Sequence, residues 1–161
     1  MLVYYVNMID SIAASKKLSS MSRDAALLMA IEQFYFGYRA FTNLPDRILE
    51  QRGLGRVHHR ILYFVARNPQ ISVNELLSML NVSKQALNAP LRQLVEMRLV
   101  EMGTAERDGR VRELALSSTG AKLEAQLTGT QMKQLKKVFE KTGASAEAGW
   151  HQVMRILSGQ D

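Results

Sequence analysis

One stretch decides the fold of this chain: Ser72-Val-Asn-Glu-Leu-Leu-Ser-Met-Leu-Asn-Val-Ser-Lys-Gln-Ala-Leu87. Ser72 and Glu75 have the spacing of a capping box, in which each side chain bonds the other residue's backbone amide at the start of a helix. Ser83 is placed to cap a second helix, which the apolar spacing extends to about Met97. Two short helices joined by three or four residues form a helix-turn-helix.

The second helix has two chemically different faces. At about 100° per residue, its long polar side chains share one arc, and its leucines lie on the other side. The polar set is Lys84, Gln85, Asn88 and Arg92. Arginine and lysine can bond guanine in the major groove, asparagine and glutamine can bond adenine, and Ser83 at the helix start can hold a phosphate. The pattern favours contact with duplex DNA, and the alternative is a merely solvated helix face.

Pro90 interrupts this second helix. A proline inside a helix removes one backbone hydrogen bond and crowds the carbonyl four residues back, at a cost of ~3 kcal/mol. We expect a kink or a locally tightened turn that re-aims Lys84 and Asn88 relative to Arg92. The alternative is a helix that restarts at Pro90, with Asn88 or Ala89 as its cap.

Two short strand patterns follow, Leu99–Met102 and Val111–Leu116, around a turn that contains Gly109. A hairpin after a helix-turn-helix is a wing, and glycine supplies the positive backbone dihedral of a tight hairpin turn. The residues predicted to contact DNA here are Arg107, Asp108, Arg110 and Arg112, with Asp108 orienting Arg110. An arginine at a hairpin tip can enter a narrow minor groove, where the negative potential is enhanced. The alternative is a charged edge hairpin that only resists aggregation.

Helical patterns flank this region on both sides. The pattern turns helical at Ser22, with apolar residues every three or four positions from Leu27 to Phe41, and Pro45 and then Gly53 and Gly55 mark the end of that long element. The chain is predicted to comprise an N-terminal extension (1–21), a dimerisation helix (22–53), a winged helix-turn-helix DNA-binding domain (54–117) and C-terminal dimerisation helices (118–161). The fold class is mainly α with a small β-wing. The flanking helices hold more apolar surface than one small winged domain can cover, which predicts a homodimer.

Composition narrows the possible functions. The 161 residues carry a net charge of +6, half of it within residues 55–117, which favours an anionic partner. Because cysteine is absent, thiol redox sensing and cysteine-based metal sites are excluded. Adjacent His58 and His59 point about 100° apart and cannot chelate one ion from a helix, so we expect no metal and no cofactor. No phosphate-binding loop or nucleophile elbow is present, so we do not expect an enzyme. No apolar run is long enough to span a membrane, and we expect a soluble, cytoplasmic protein.

The ordered series of motifs resembles the MarR family of winged-helix transcriptional regulators. The segments that carry the resemblance are Leu54-Gly-Arg-Val-His-His-Arg-Ile-Leu62, the helix-turn-helix at 72–87, Leu99–Val100, Asp108-Gly-Arg110 and Leu116-Ser-Ser-Thr-Gly120. The resemblance implies an obligate homodimer that straddles a pseudo-palindromic operator in double-stranded DNA. It also implies ligand-responsive repression of transcription.

The same resemblance implies an effector site between the dimerisation helix and the winged domain. The candidate lining residues are Tyr35, Tyr38, Arg39, His58, His59 and Tyr63. Aromatic walls with an arginine and histidines suit a small aromatic or anionic effector such as an aromatic carboxylate. The alternative is that these aromatic side chains belong to the core. For the whole chain, the alternative function is a winged-helix protein-interaction module without DNA readout.

Overall fold

The computed structural model describes residue 16, residues 19–104 and residues 112–159. In chain order the elements are α1 (Arg23–Glu50), α2 (Arg56–Arg67), β1 (Ile71–Ser72), α3 (Val73–Leu80), α4 (Lys84–Glu96), β2 (Val100–Thr104), β3 (Arg112–Leu116), α5 (Ser118–Thr142) and α6 (Ala144–Leu157). The predicted class, mainly α with a small β-wing, is confirmed.

The chain divides into two compact units. The helical unit consists of the described residues up to 41 and from 132 onward, and the winged unit consists of residues 42–131. Helices α1 and α5 each run from one unit into the other. The whole hydrophobic core lies in the winged unit, and no described residue of the helical unit is buried. The four predicted domain ranges stay predictions.

Local side-chain bonds start both helices of the helix-turn-helix, as predicted. At the start of α3, the Ser72 hydroxyl accepts from the Glu75 amide at 3.2 Å and the Glu75 carboxylate accepts from the Ser72 amide at 2.8 Å. These bonds to Ser72 lower the pKa of Glu75. Asn81 ends α3 in the left-handed conformation, at φ 49°. The Ser83 hydroxyl then accepts from the Ala86 amide at 3.2 Å and caps α4.

Both prolines within helices are tolerated. Helix α1 continues past Pro45 and ends at Glu50, before Gly53 and Gly55, so of the three predicted end markers only Pro45 does not stop the helix; Pro45 is buried and packs in the winged unit. Helix α4 is continuous from Lys84 to Glu96, so a restart at Pro90 is wrong. Buried leucines on both sides of Pro90 hold the two halves of α4 on the same core, which offsets the lost backbone bond. The kink stays a prediction.

The sheet has three antiparallel strands in the order β1-β3-β2. Strand β3 is central and pairs with β2 from Val100↔Leu116 to Thr104↔Arg112. Strand β1, which the sequence analysis does not predict, pairs Ile71 with Leu114 on the other side. With two residues, β1 is too short to show the alternating pattern of a strand.

The end of α4 is packed against the start of α5. Arg98, two residues after the end of α4, adopts the left-handed conformation at φ 54°. Its carbonyl oxygen accepts a hydrogen bond from the Ser117 hydroxyl at 2.7 Å. The same hydroxyl oxygen accepts from the Gly120 amide at 3.0 Å and so caps α5. A Cβ on Gly120 would overlap the carbonyl oxygen of Leu99. Position 120 therefore requires glycine because the backbone passes too close for any side chain.

We predict that Gly120→Ala destabilises the fold by about 3 kcal/mol, because relief of the overlap requires movement of the backbone at Leu99. Gly129→Ala on the same helix is the control, because nothing lies within 4 Å of its Cβ position and alanine is the better helix former. Chemical denaturation measures the free energy of unfolding of both variants. Equal stability of the two would contradict the close approach at Gly120.

Candidate nucleic-acid interface

Helix α4 presents the predicted polar side chains on one exposed surface. Three buried leucines, at positions 87, 91 and 94, fix its inner face in the core of the winged unit. Lys84, Gln85, Asn88 and Arg92 are all exposed on the outer face. The last three also line one shallow groove, together with Ala89. This part of the predicted site is therefore assembled on a single rigid element.

An acidic residue on the same face was missed by the sequence analysis. A carboxylate oxygen of Glu96 lies 3.7 Å from Nε of Arg92, and both side chains are largely exposed. An exposed pair of this kind contributes little to stability. It places a negative charge beside a cationic side chain predicted to contact DNA. The spacing of four residues within a helix was the signal that could have revealed the pair.

The wing is described only in part. Arg112 opens β3 opposite Thr104 of β2, and its side chain is exposed. The other predicted wing contacts, Arg107, Asp108 and Arg110, lie outside the described residues. Their role at the DNA stays a prediction.

The predicted effector residues divide between the two units. In the helical unit Tyr35, Tyr38 and Arg39 are exposed, and the guanidinium of Arg39 lies 5.7 Å from the centre of the Tyr35 ring. In the winged unit Tyr63 is half-buried, and the guanidinium of Arg67 lies 3.6 Å from the centre of its ring. Each of these cation–π contacts joins two residues of the same helix. The effector site stays a prediction.

His59 faces a polar cluster inside the winged unit. There Glu124 accepts from the Arg67 guanidinium at 2.7 Å and from the Thr128 hydroxyl at 2.6 Å. Nε2 of His59 is buried and has no hydrogen-bond partner among the described residues. Burial lowers the pKa of His59, although the carboxylates of Glu124 and Asp46 act in the opposite direction. The folded protein therefore favours the neutral ring.

We predict that the folded state loses stability as the pH falls below about 6.5. The unfolded chain protonates His59 at its ordinary pKa of 6.5, whereas the folded chain resists the proton until a lower pH. A single such group contributes at most about 1.4 kcal/mol per pH unit. His59→Phe should reduce the difference in unfolding free energy between pH 7.5 and pH 5.5, measured by urea denaturation. His151→Gln, at an exposed histidine, is the control, and an equal pH response of wild type and His59→Phe would contradict the prediction.

Neither a membrane segment nor a metal cluster is found in the described part of the chain. No helix there is long and apolar enough to cross a bilayer. Within residues 19–104 and 112–159, no three histidine, aspartate or glutamate side chains are grouped to hold a metal ion.

Comparison with known proteins identifies the class to which this fold and surface belong. A family model described as "MarR family" matches residues 52–111. The HTH-type transcriptional regulator PetP of Rhodobacter capsulatus is 42% identical over 134 residues, which cover 83% of this chain and 81% of PetP. A crystal structure of a MarR family transcription regulator aligns with a TM-score of 0.72 at 18% identity, over 84% of this chain and 89% of that one. A MepR variant of S. aureus bound to an oligodeoxyribonucleotide aligns with a TM-score of 0.58 at 16% identity, over 82% and 98% of the two chains.

The fold defines a winged-helix protein. The chain belongs to the MarR family of transcriptional regulators. Because members of this family act by binding DNA and not by catalysis, the prediction that the protein is not an enzyme is confirmed.

Proposed function

We propose that the protein is a dimeric, sequence-specific transcriptional regulator that inserts α4 into the major groove. One observation carries the proposal: four exposed polar side chains lie on a helix whose opposite face is fixed by buried leucines. The proposed base-reading residues are Lys84, Gln85, Asn88 and Arg92. Ser83 and the amides at the start of α4 bind a phosphate, which sets the register of the helix on the duplex.

The wing supplies the second part of the proposed interface. Arg107, Arg110 and Arg112 approach the minor groove, with Asp108 orienting Arg110. Strands β2 and β3, which flank these residues, lie in the same winged unit as α4, and this supports the assignment. Phosphate and minor-groove contacts add affinity without reading the base sequence directly.

Dimerisation is proposed from the helical unit. None of its described residues is buried, although α1 and α6 each carry several large apolar side chains that are more than half exposed. The most exposed are Leu28, Ile31, Phe36, Met132, Val153 and Leu157. Apolar side chains exposed in such number need a partner surface. We propose a second copy of the chain, which also provides two copies of α4 about 34–36 Å apart for a pseudo-palindromic operator.

Repression controlled by a small aromatic or anionic effector is the remaining part of the proposal. Its support is the residue chemistry of the six predicted lining residues, which combines aromatic rings with an arginine and two histidines: Tyr35, Tyr38, Arg39, His58, His59 and Tyr63. Benzoate is the simplest probe, and it should release the protein from its operator at low salt without unfolding it.

The deciding experiment is to sequence the DNA fragments that the purified protein retains from a random duplex library, with and without benzoate. Enrichment of a pseudo-palindrome, with binding that weakens as salt rises, is the expected result. The alternative function, a winged-helix protein-interaction module, predicts no enrichment and no salt-sensitive binding.

Two arginines should affect DNA binding in different ways. Arg92→Ala should relax the base preference at one position of the operator, a loss of about 1–3 kcal/mol of discrimination. Arg110→Ala should lower the affinity for all sequences. It should also reduce the slope of log affinity against log salt concentration by about one. Competition binding with operator and mutated duplexes at several salt concentrations measures both effects. Equal losses across all sequences for the two variants would contradict these roles.

The protein should be a dimer at micromolar concentration by multi-angle light scattering. Ile31→Glu, in the middle of the exposed apolar surface of α1, should shift the mass toward the monomer because a charge cannot be buried unpaired. Met79→Glu is the matched control, since Met79 is an exposed apolar residue of α3 in the winged unit. A wild-type monomer, or equal effects of the two variants, would refute the proposed interface.

A further inference from the structure

Gln93 connects α4 to the turn that precedes α2. Its side-chain amide nitrogen donates to the carbonyl oxygen of Gly53 at 3.1 Å, across 40 residues of sequence. Its side-chain oxygen lies 2.9 Å from Nε2 of His58, on the first turn of α2. Gln93 directly follows Arg92, the arginine proposed to read a base. The two hydrogen bonds therefore restrain α4 at the residue next to Arg92.

The hydrogen-bond partners of His58 select one tautomer of its neutral ring. Nδ1 of His58 lies 2.9 Å from the backbone amide of Gly55, which can only donate, so Nδ1 accepts and carries no proton. The neutral ring then carries its proton on Nε2 and donates it to the side-chain oxygen of Gln93. This leaves the Gln93 amide nitrogen facing the Gly53 carbonyl. In all three hydrogen bonds, therefore, a donor faces an acceptor.

The turn that anchors these bonds is itself well fixed. Gly53 adopts φ +68°, and the amides of Gly53 and Leu54 donate back to Glu50 at 3.0 Å and to Leu49 at 2.9 Å. This is the glycine-closed end of a helix, with orphan carbonyls satisfied by a left-handed residue. Leu54 is buried in the core beside it. The Gly53 carbonyl is therefore held in place as an acceptor for Gln93.

We propose that His58 and Gln93 are positioning residues for DNA readout, joined with Gly53 and Gly55 in a clamp that sets the rotation of α4. The reason is that the buried leucines of α4 are held by apolar packing, which is non-directional, whereas hydrogen bonds fix an angle. Bidentate contacts between a side chain and a base edge depend on that angle. The positioning role of the clamp rests on the proposed function. Within the clamp, both ring nitrogens of His58 bond other groups of the protein.

Two variants separate the bonds of the clamp. His58→Asn puts an amide oxygen near the position of Nδ1, so it keeps an acceptor for Gly55, but it has no group that reaches Gln93. Gln93→Leu keeps a similar volume on α4 and removes both of its bonds. Gln126→Leu, at an exposed glutamine of α5, is the control for the change from amide to leucine. The three variants and the double variant of His58 and Gln93 are measured with the full-length protein.

The measured quantity is the ratio of operator affinity to affinity for random duplex, taken well below the unfolding temperature. We expect His58→Asn to lower this ratio about fivefold, the effect of one net hydrogen bond, and Gln93→Leu, which removes two bonds, to lower it at least as much, with affinity for random duplex unchanged. The double variant should be no worse than the poorer single variant, because both interrupt the same clamp. Variants that lower the unfolding temperature but change the ratio by less than twofold would show a purely structural role and overturn the proposal.

Nitrogen-15 NMR of the imidazole tests the clamp without DNA. The expected spectrum of neutral His58 has the proton on Nε2 and an unprotonated Nδ1, and Gln93→Leu should shift the Nε2 resonance. A proton on Nδ1 would overturn the clamp. If wild-type protein binds no preferred DNA sequence, the proposed function fails, while this spectrum still decides whether the clamp exists.

Discussion

The burial of three leucines on α4 is the interaction on which the rest of the winged unit depends. Leu87, Leu91 and Leu94 are at most 4% exposed, and they attach α4 to a core built from α2, α3 and the sheet. Their burial forces the polar side chains of α4 outward, because residues on opposite sides of one helix cannot both face the core. It also holds α4 continuous through Pro90. The burial of these three leucines thus holds α4 in the fold and also exposes the surface proposed to contact DNA.

The two units differ in how much of their apolar side-chain surface is buried. The winged unit has a closed core, capped helices and a three-stranded sheet within residues 42–131. The described residues of the helical unit are all at least partly exposed, including tryptophan and phenylalanine side chains. A single chain leaves that apolar surface in contact with water, which is the physical basis for proposing a second copy.

Features governed by neighbours in sequence were predictable, and features governed by distant neighbours were not. The caps at Ser72 and Ser83 follow from side chains within four residues, so their prediction succeeded. Strand β1 exists only because β3 lies beside it. Local rules at Pro90 left a kink or a helix restart open, and only the continuous α4, with buried leucines on either side of Pro90, excludes the restart. The bonds of both ring nitrogens of His58, to Gly55 and to Gln93, include one partner that is 35 residues away and that no local rule indicates.

The sequence by itself determined the helix-turn-helix, the two wing strands that follow it and the set of exposed polar residues on α4. Periodicity and capping are local properties, because helix geometry repeats every 3.6 residues and a cap bonds only its own first turn. Tertiary structure alone decided that Gln93 meets Gly53 across 40 residues, that Gly120 lies against Leu99, and that Nε2 of His59 is buried without a partner among the described residues. These contacts depend on how elements pack in three dimensions, and packing brings together residues whose distance along the chain carries no signal.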